Sequence, residues 1–346
     1  MESINPHFHF SVKKTPPSVS TFVEGILAGN RVMLSQAITL IESTRSDHQD
    51  LAQQIIEKCL PFSGNSIRVG ITGTPGVGKS TFIEAFGTYI TETQNADDKH
   101  HHIAVLAIDP TSPVSRGSIL GDKTRMMHLS TNPKAFIRPS PAGGSLGGVA
   151  RKTRESIILC EAAGFDVIII ETVGVGQSET AVHSMTDFFL LLLLPGAGDD
   201  LQGIKRGIVE MADLIAVNKA DGDRTMLAKQ AKAFYQNALH LFPAKDNQWI
   251  PQVITCSALS QLGIPDIWAL ILDFQRFTQA NKTFYENRKF QSKYWLHDSI
   301  EQALKNQFYN HPSVQAHIST IEEAVLKGEI SSFIGAEELL QMFLKY

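Results

Sequence analysis

The strongest chemical signal in the chain is the run Gly73-Thr74-Pro75-Gly76-Val77-Gly78-Lys79-Ser80-Thr81. From Gly73 to Ser80 it matches the spacing G-x-x-x-x-G-K-[ST], and it stands between a short apolar run and a helical stretch. Glycines at these positions let the backbone wrap a phosphate in conformations closed to other residues. Successive N–H groups and the start of the next helix then supply positive potential. In such a cradle the Lys79 ammonium reaches the β- and γ-phosphates, and the Ser80 hydroxyl ligates Mg²⁺.

Choice of base points to Asn218-Lys219-Ala220-Asp221. The Asp221 carboxylate can accept from guanine N1–H and from its 2-amino group. Adenine offers neither donor there, so the carboxylate would be left desolvated and unpaired. Ser257-Ala258-Leu259, after the last apolar run, reads as the second guanine contact. Together these residues predict a site for GTP and GDP.

Carboxylates for a metal follow the other runs. Asp109 ends one of them, Asp122 lies in Gly121-Asp122-Lys123-Thr124, and Glu171 opens Glu171-Thr172-Val173-Gly174. Glu171 can hold Mg²⁺ directly or through water, and the Gly174 N–H can bond the γ-phosphate. Val175, not Gln, follows Gly174, and Gln177 stands at a different offset from the water-orienting Gln of Ras-like GTPases. Slow intrinsic hydrolysis is therefore expected, open to modulation by a partner. Residues 196–206, rich in Gly and Asp, read as a loop leaving the same sheet edge. The glycines of 143–148 lack a lysine and the phosphate-loop spacing, and read as a close backbone approach or a helix entry rather than a second phosphate site. His100, His101 and His102 are adjacent, so their side chains diverge, and a solvated loop is expected there rather than a metal site.

These residues need a scaffold that brings them to one edge. Apolar runs at 67–72, 103–108, 167–170, 188–194, 214–217 and 253–255 alternate with helical stretches. Strands without polar alternation, separated by helices, indicate a mostly parallel α/β sheet covered on both faces. Ligands then sit beyond the carboxyl ends of the strands, where every motif above falls. Before the sheet, Leu34, Ile38 and Ile41 mark a helix capped by Asn30, and Leu51, Ile55 and Cys59 mark another that stops before Pro61. After it, Trp295, Ile300, Leu304 and Phe308 form an amphipathic stripe that ends near Pro312. The expected division is a tail at 1–20, a helical region at 21–64, a P-loop G domain at 65–275 and a helical region at 276–346.

Composition narrows the partners. A formal net charge of −4 over 346 residues lacks the basic footprint of a nucleic-acid binder. The run 188–194 is far too short to span a bilayer, and the first residues form no apolar signal core, so a cytoplasmic protein without a membrane partner is expected. Cys59, Cys160 and Cys256 stand far apart with no CxxC pair, and Cys160 and Cys256 read as core packing.

The strings 73–81, 109–112, 117–126, 171–179, 195–205 and 218–221 closely resemble the MeaB/ArgK family, which includes the methylmalonic aciduria type A protein of mitochondria. The resemblance runs from about residue 21 to the end. It implies a metallochaperone-class G domain and a homodimer made through a C-terminal helical arm. It also implies a GTPase chaperone that gates adenosylcobalamin loading and protects an acyl-CoA mutase, usually methylmalonyl-CoA mutase. Asp109, Asp122 and Glu171 match the family's metal-shell positions. The 196–206 loop matches a third switch, and its Lys205 matches a lysine implicated in mutase-stimulated hydrolysis, so Lys79, Glu171 and Lys205 are the candidate catalytic residues. No Asp-x-His-x-x-Gly cobalamin motif is present, so the corrin would belong to the partner. A GTPase delivering another metal or cofactor, and a transport-linked kinase or ATPase, are the alternatives.

Overall fold

In a computed structural model, the described residues are 17–95, 97–108, 126–139, 146–172, 178–196 and 206–344. Three helices come first. Ser18 caps α1 (Val19–Leu27) by accepting from the Thr21 N–H. Asn30 caps α2 (Arg31–Glu42) by accepting from Val32 and Met33 N–H at 3.0 and 3.2 Å. α3 (Ser46–Cys59) gives way to a 3₁₀ turn carrying Pro61. Their apolar faces, led by Phe22, Ile26, Leu34, Ile38 and Ile55, are buried with Ile157 and Cys160 of α6 (Leu146–Ala162).

The sheet has seven strands in the order β3-β2-β4-β1-β5-β6-β7. They are β1 (Ile67–Gly73), β2 (Ile103–Ile108), β3 (Ala135–Arg138), β4 (Val167–Thr172), β5 (Phe188–Leu193), β6 (Leu214–Val217) and β7 (Gln252–Thr255). Every pairing is parallel, with β1 between β4 and β5 and all of its residues buried. Connecting elements are α4 (Lys79–Glu92), α5 (Met127–Thr131), α6, α7 (Ser178–His183), α8 (Arg206–Met211), α9 (Thr225–Leu239) and α10 (Ile264–Ala280). The Glu84 carboxylate of α4 accepts from the His128 and Leu129 N–H groups, which fixes the start of α5 beside the sheet. Cys59, Cys160 and Cys256 are free and buried, and burial pushes the Cys59 thiol up to about 11 and that of Cys256 to about 12.

β3 was not among the expected strands. It has only four residues, and its two buried ones, Ala135 and Phe136 on opposite faces, are too short an apolar run to read. Its Arg138 donates to Glu42 Oε1 at 2.9 Å, tying this edge strand to α2. His101 also departs from the expected solvated loop. It is 7% exposed, its Nδ1 lies 2.5 Å from Asp166 Oδ2, and its ring meets Trp268 edge-on. Adjacent side chains diverge, so one of the three turns inward while His100 and His102 stay exposed.

Three helices follow the sheet: α11 (Thr283–Tyr309), α12 (Pro312–Leu326) and α13 (Ser332–Leu344). Trp295 of the expected stripe packs against the guanidinium groups of both Arg68 and Arg154. Ile300 and Leu304 are instead 47% and 54% exposed, so this chain does not cover that part of the stripe. Among the described residues no helix is long and apolar enough to cross a membrane.

Candidate nucleotide-binding site

β1 delivers the chain to the carboxyl edge and stops at Gly73. A Cβ on Gly73 would lie 2.5 Å from the Leu192 carbonyl oxygen, so only glycine lets the loop leave the sheet there. Gly76 and Gly78 have φ of +78° and +90°, in the left-handed region that side-chain-bearing residues avoid. Val77 between them is fully buried and anchors the loop, whose turn closes through Val77 N–H to the Thr74 carbonyl at 3.2 Å. α4 then starts at Lys79 and Ser80, with its free N–H groups facing the loop. Pro75 lies in the same turn.

The Lys79 ammonium donates to the carbonyls of Gly73 at 2.8 Å and Thr74 at 3.4 Å. Burial pulls its pKa below the ordinary lysine value, while the nearby charges of Glu171 and then Glu179 pull it back up. Glu171 is half-buried at the end of β4, next to the fully buried Thr172, whose hydroxyl bridges to that of Thr72 at 2.8 Å. Glu171 thus stands on the strand beside β1, near enough for its charge to act on Lys79.

β6 ends beside the same loop. The Asn218 side chain is buried and clasps two segments: its Nδ2 donates to the Val77 carbonyl at 2.9 Å and its Oδ1 accepts from the Ala258 N–H at 3.1 Å. This amide braces the site, holding the phosphate loop and the 257–259 turn at fixed distance. Lys219, at φ +57°, donates to the Gly76 carbonyl at 2.7 Å. A cavity of about 450 Å³ opens between these parts, lined by Gly78, Thr81, Asn218, Lys219 and Asp221 on one side. Ser257, Ala258 and Leu259 line the other side, with Leu259 at the mouth and 82% exposed. Asp223 and Arg224 complete the wall. Neither was expected, because a charged pair just past Asp221 reads as a solvated turn.

Asp109, Asp122, Gly174 and Lys205 lie outside the described residues. Of the expected metal ligands, Ser80 and Glu171 fall at the carboxyl edge of neighbouring strands. Among the described residues no cluster of three or more His, Cys, Asp or Glu side chains could hold a metal by itself.

A parallel sheet with this phosphate loop on its central strand, and an Asn-Lys-x-Asp turn in the same cavity, defines a P-loop GTPase, an enzyme that hydrolyses GTP to GDP and phosphate. The comparisons carry this further. Residues 34–313 match the family model "Methylmalonyl Co-A mutase-associated GTPase MeaB", and the chain belongs to that family. It is 44% identical over 335 residues to a mouse (Mus musculus) protein named "Methylmalonic aciduria type A homolog, mitochondrial", covering 94% of this chain and 79% of that one. It is 45% identical over 311 residues to the GTPase ArgK of Escherichia coli, covering 90% and 92%. A crystal structure of an LAO/AO transport system kinase superposes with a TM-score of 0.73 at 37% identity, covering 95% of this chain and 98% of that one.

Proposed function

We propose that this chain is a Mg²⁺-dependent GTPase of slow intrinsic turnover. It serves as chaperone and gatekeeper for an adenosylcobalamin-dependent acyl-CoA mutase, with methylmalonyl-CoA mutase the first candidate. The observation that carries the reading is the single cavity in which the phosphate loop and Asp221 meet, in a chain whose family is named for association with that mutase. Lys79 holds the terminal phosphates, Asp221 selects guanine, and the 257–259 turn closes over the base. The candidate metal donors are all oxygens, from Ser80, Asp109, Asp122 and Glu171, which suits a hard cation such as Mg²⁺. When bound, the ion would neutralise charge that develops on the phosphates.

The C-terminal region, 276–346, serves as the arm of a homodimer. Exposed Phe290, Leu296, Leu304 and Phe333 are 54–85% accessible and favour a second copy as their cover. The corrin stays with the mutase.

The test measures GTP turnover with and without methylmalonyl-CoA mutase, alongside calorimetry for GTP and ATP. Faster turnover with the mutase and binding of GTP alone are expected. No complex and no rate change would remove the mutase from the proposal. Equal affinity for ATP would remove the guanine reading. The kinase reading draws on the similarity to the LAO/AO transport system kinase, and Asp221 weighs against an ATP-using enzyme. Phosphate appearing on a protein rather than in solution would favour it.

A further inference from the structure

Glu179 has no part in the chemistry described so far, yet it is a carboxylate only 4% exposed. Its Oε2 is buried and has no hydrogen-bond partner among the described residues. A buried charge left so is destabilising on its own, so its place invites a functional explanation.

Register locates it. A Cβ on Gly70 of β1 would come within 2.9 Å of Val182 Cγ1, so α7 rests on the sheet at that residue. Glu179 precedes Val182 by three residues of the same helix and shares its face, about one turn nearer the helix start. α7 follows the carboxyl end of β4 and runs back across the sheet, so that turn lies toward Thr72 and Gly73. There the Lys79 ammonium rests on the Gly73 and Thr74 carbonyls. The charge of Glu179 is close enough to act on that ammonium, second only to that of Glu171.

We propose that Glu179 is a positioning residue of the phosphate site, a buried counter-charge that holds the Lys79 ammonium back and opposes the γ-phosphate, so that GTP is favoured over GDP less than the loop and Lys79 alone would favour it. A site with this counter-charge does not stall with GTP permanently bound, which suits a switch that a partner must read. The assignment deepens the guanine-nucleotide reading and rests on it, but it is independent of the mutase.

The test is Glu179→Gln, which keeps the shape and removes the charge. Binding of GDP and of a non-hydrolysable GTP analogue is measured by calorimetry at several Mg²⁺ concentrations. Affinity for the analogue should rise about three- to tenfold while that for GDP changes about twofold at most, because the extra phosphate charge feels the removed carboxylate most. Glu179→Asp, which retains the charge, should keep the wild-type ratio. Parallel loss of both affinities with a lower melting temperature would overturn the proposal and leave Glu179 a packing residue. Weaker binding restored by added Mg²⁺ would also overturn it and move the carboxylate to the metal's water shell. Wild type that binds neither nucleotide would instead bring down the guanine reading itself.

Discussion

At the amino edge of the sheet, Arg68 forks onto Glu161 at 2.9 and 3.1 Å, and the Ser66 hydroxyl and Gly64 N–H donate to the same carboxylate at 2.6 and 2.7 Å. Arg288 of α11 forks onto Asp187 at 2.8 and 2.6 Å and also donates to the carbonyls of Gly64 and Ser66. At the carboxyl edge, the Lys79 ammonium leans on its own loop and Glu179 keeps an unpaired oxygen. Both edges bury charge. One saturates it with forks and carbonyls, and α11 is thereby fastened to the sheet. The other leaves capacity unused, which is where an anionic ligand adds the missing interactions. The difference teaches that burial alone does not mark a site; incomplete pairing of buried charge does.

The comparison predicts two kinds of variant. Lys79→Ala should have the largest effect, reducing GTP turnover by about a thousandfold or more, since preorganised charge at the transferring phosphate is lost. Thermal unfolding should shift by only about a degree or two, because among the described residues the ammonium's hydrogen bonds go to carbonyls of its own loop. A single-turnover assay beside a melting curve checks both. A large loss of stability would mean that the carboxyl edge is also structural, and the contrast would collapse.

Arg288→Ala should reverse the pattern. Asp187, with a side chain 1% exposed, would lose its countercharge. The expected loss is about 3 kcal/mol of folding stability. Chemical denaturation reads that loss, and GTP affinity of the folded protein should stay at the wild-type value. A matching loss of affinity would show that the two edges are coupled through β1.

What could be read in advance follows from how local each signal is. The phosphate loop is contiguous, and uninterrupted apolar runs such as Phe188–Leu193 cannot be anything but buried, so β1, β5 and the edge that collects the motifs were legible. The Arg68–Glu161 and Arg288–Asp187 forks were not, because their partners stand 93 and 101 positions apart and each alone looks like a surface charge. Glu179 was equally hidden. An acidic residue in the first turn of a helix reads as a favourable match to the helix dipole, and nothing local says that it is buried. The α11 stripe shows a third limit: periodicity at Ile300 and Leu304 announces an apolar face but not which chain covers it. Asn218 belongs to the guanine motif, yet its bracing bonds to Val77 and Ala258 depend on three loops meeting.

The smallest effect at neutral pH, and the sharpest probe of the amino edge, is acid. Burial pushes the Glu161 carboxyl up, but the Arg68 charge and hydrogen bonds, the Ser66 hydroxyl and Arg288 together outweigh it and hold the group below its ordinary value of 4.5. A carboxyl depressed in the folded state binds fewer protons there than in the unfolded chain, so acid favours unfolding. Its contribution is fully present above the unfolded value and is lost as pH falls through the folded one. Melting temperature should therefore hold steady down to about pH 5 and then fall more steeply than in Glu161→Gln. That variant should start lower at neutral pH, having lost one end of the fork, and its acid limb should be flatter. If wild type and variant declined in parallel below about pH 4.5, Glu161 would not be the group that titrates, and the amino edge would owe its grip to some other pair.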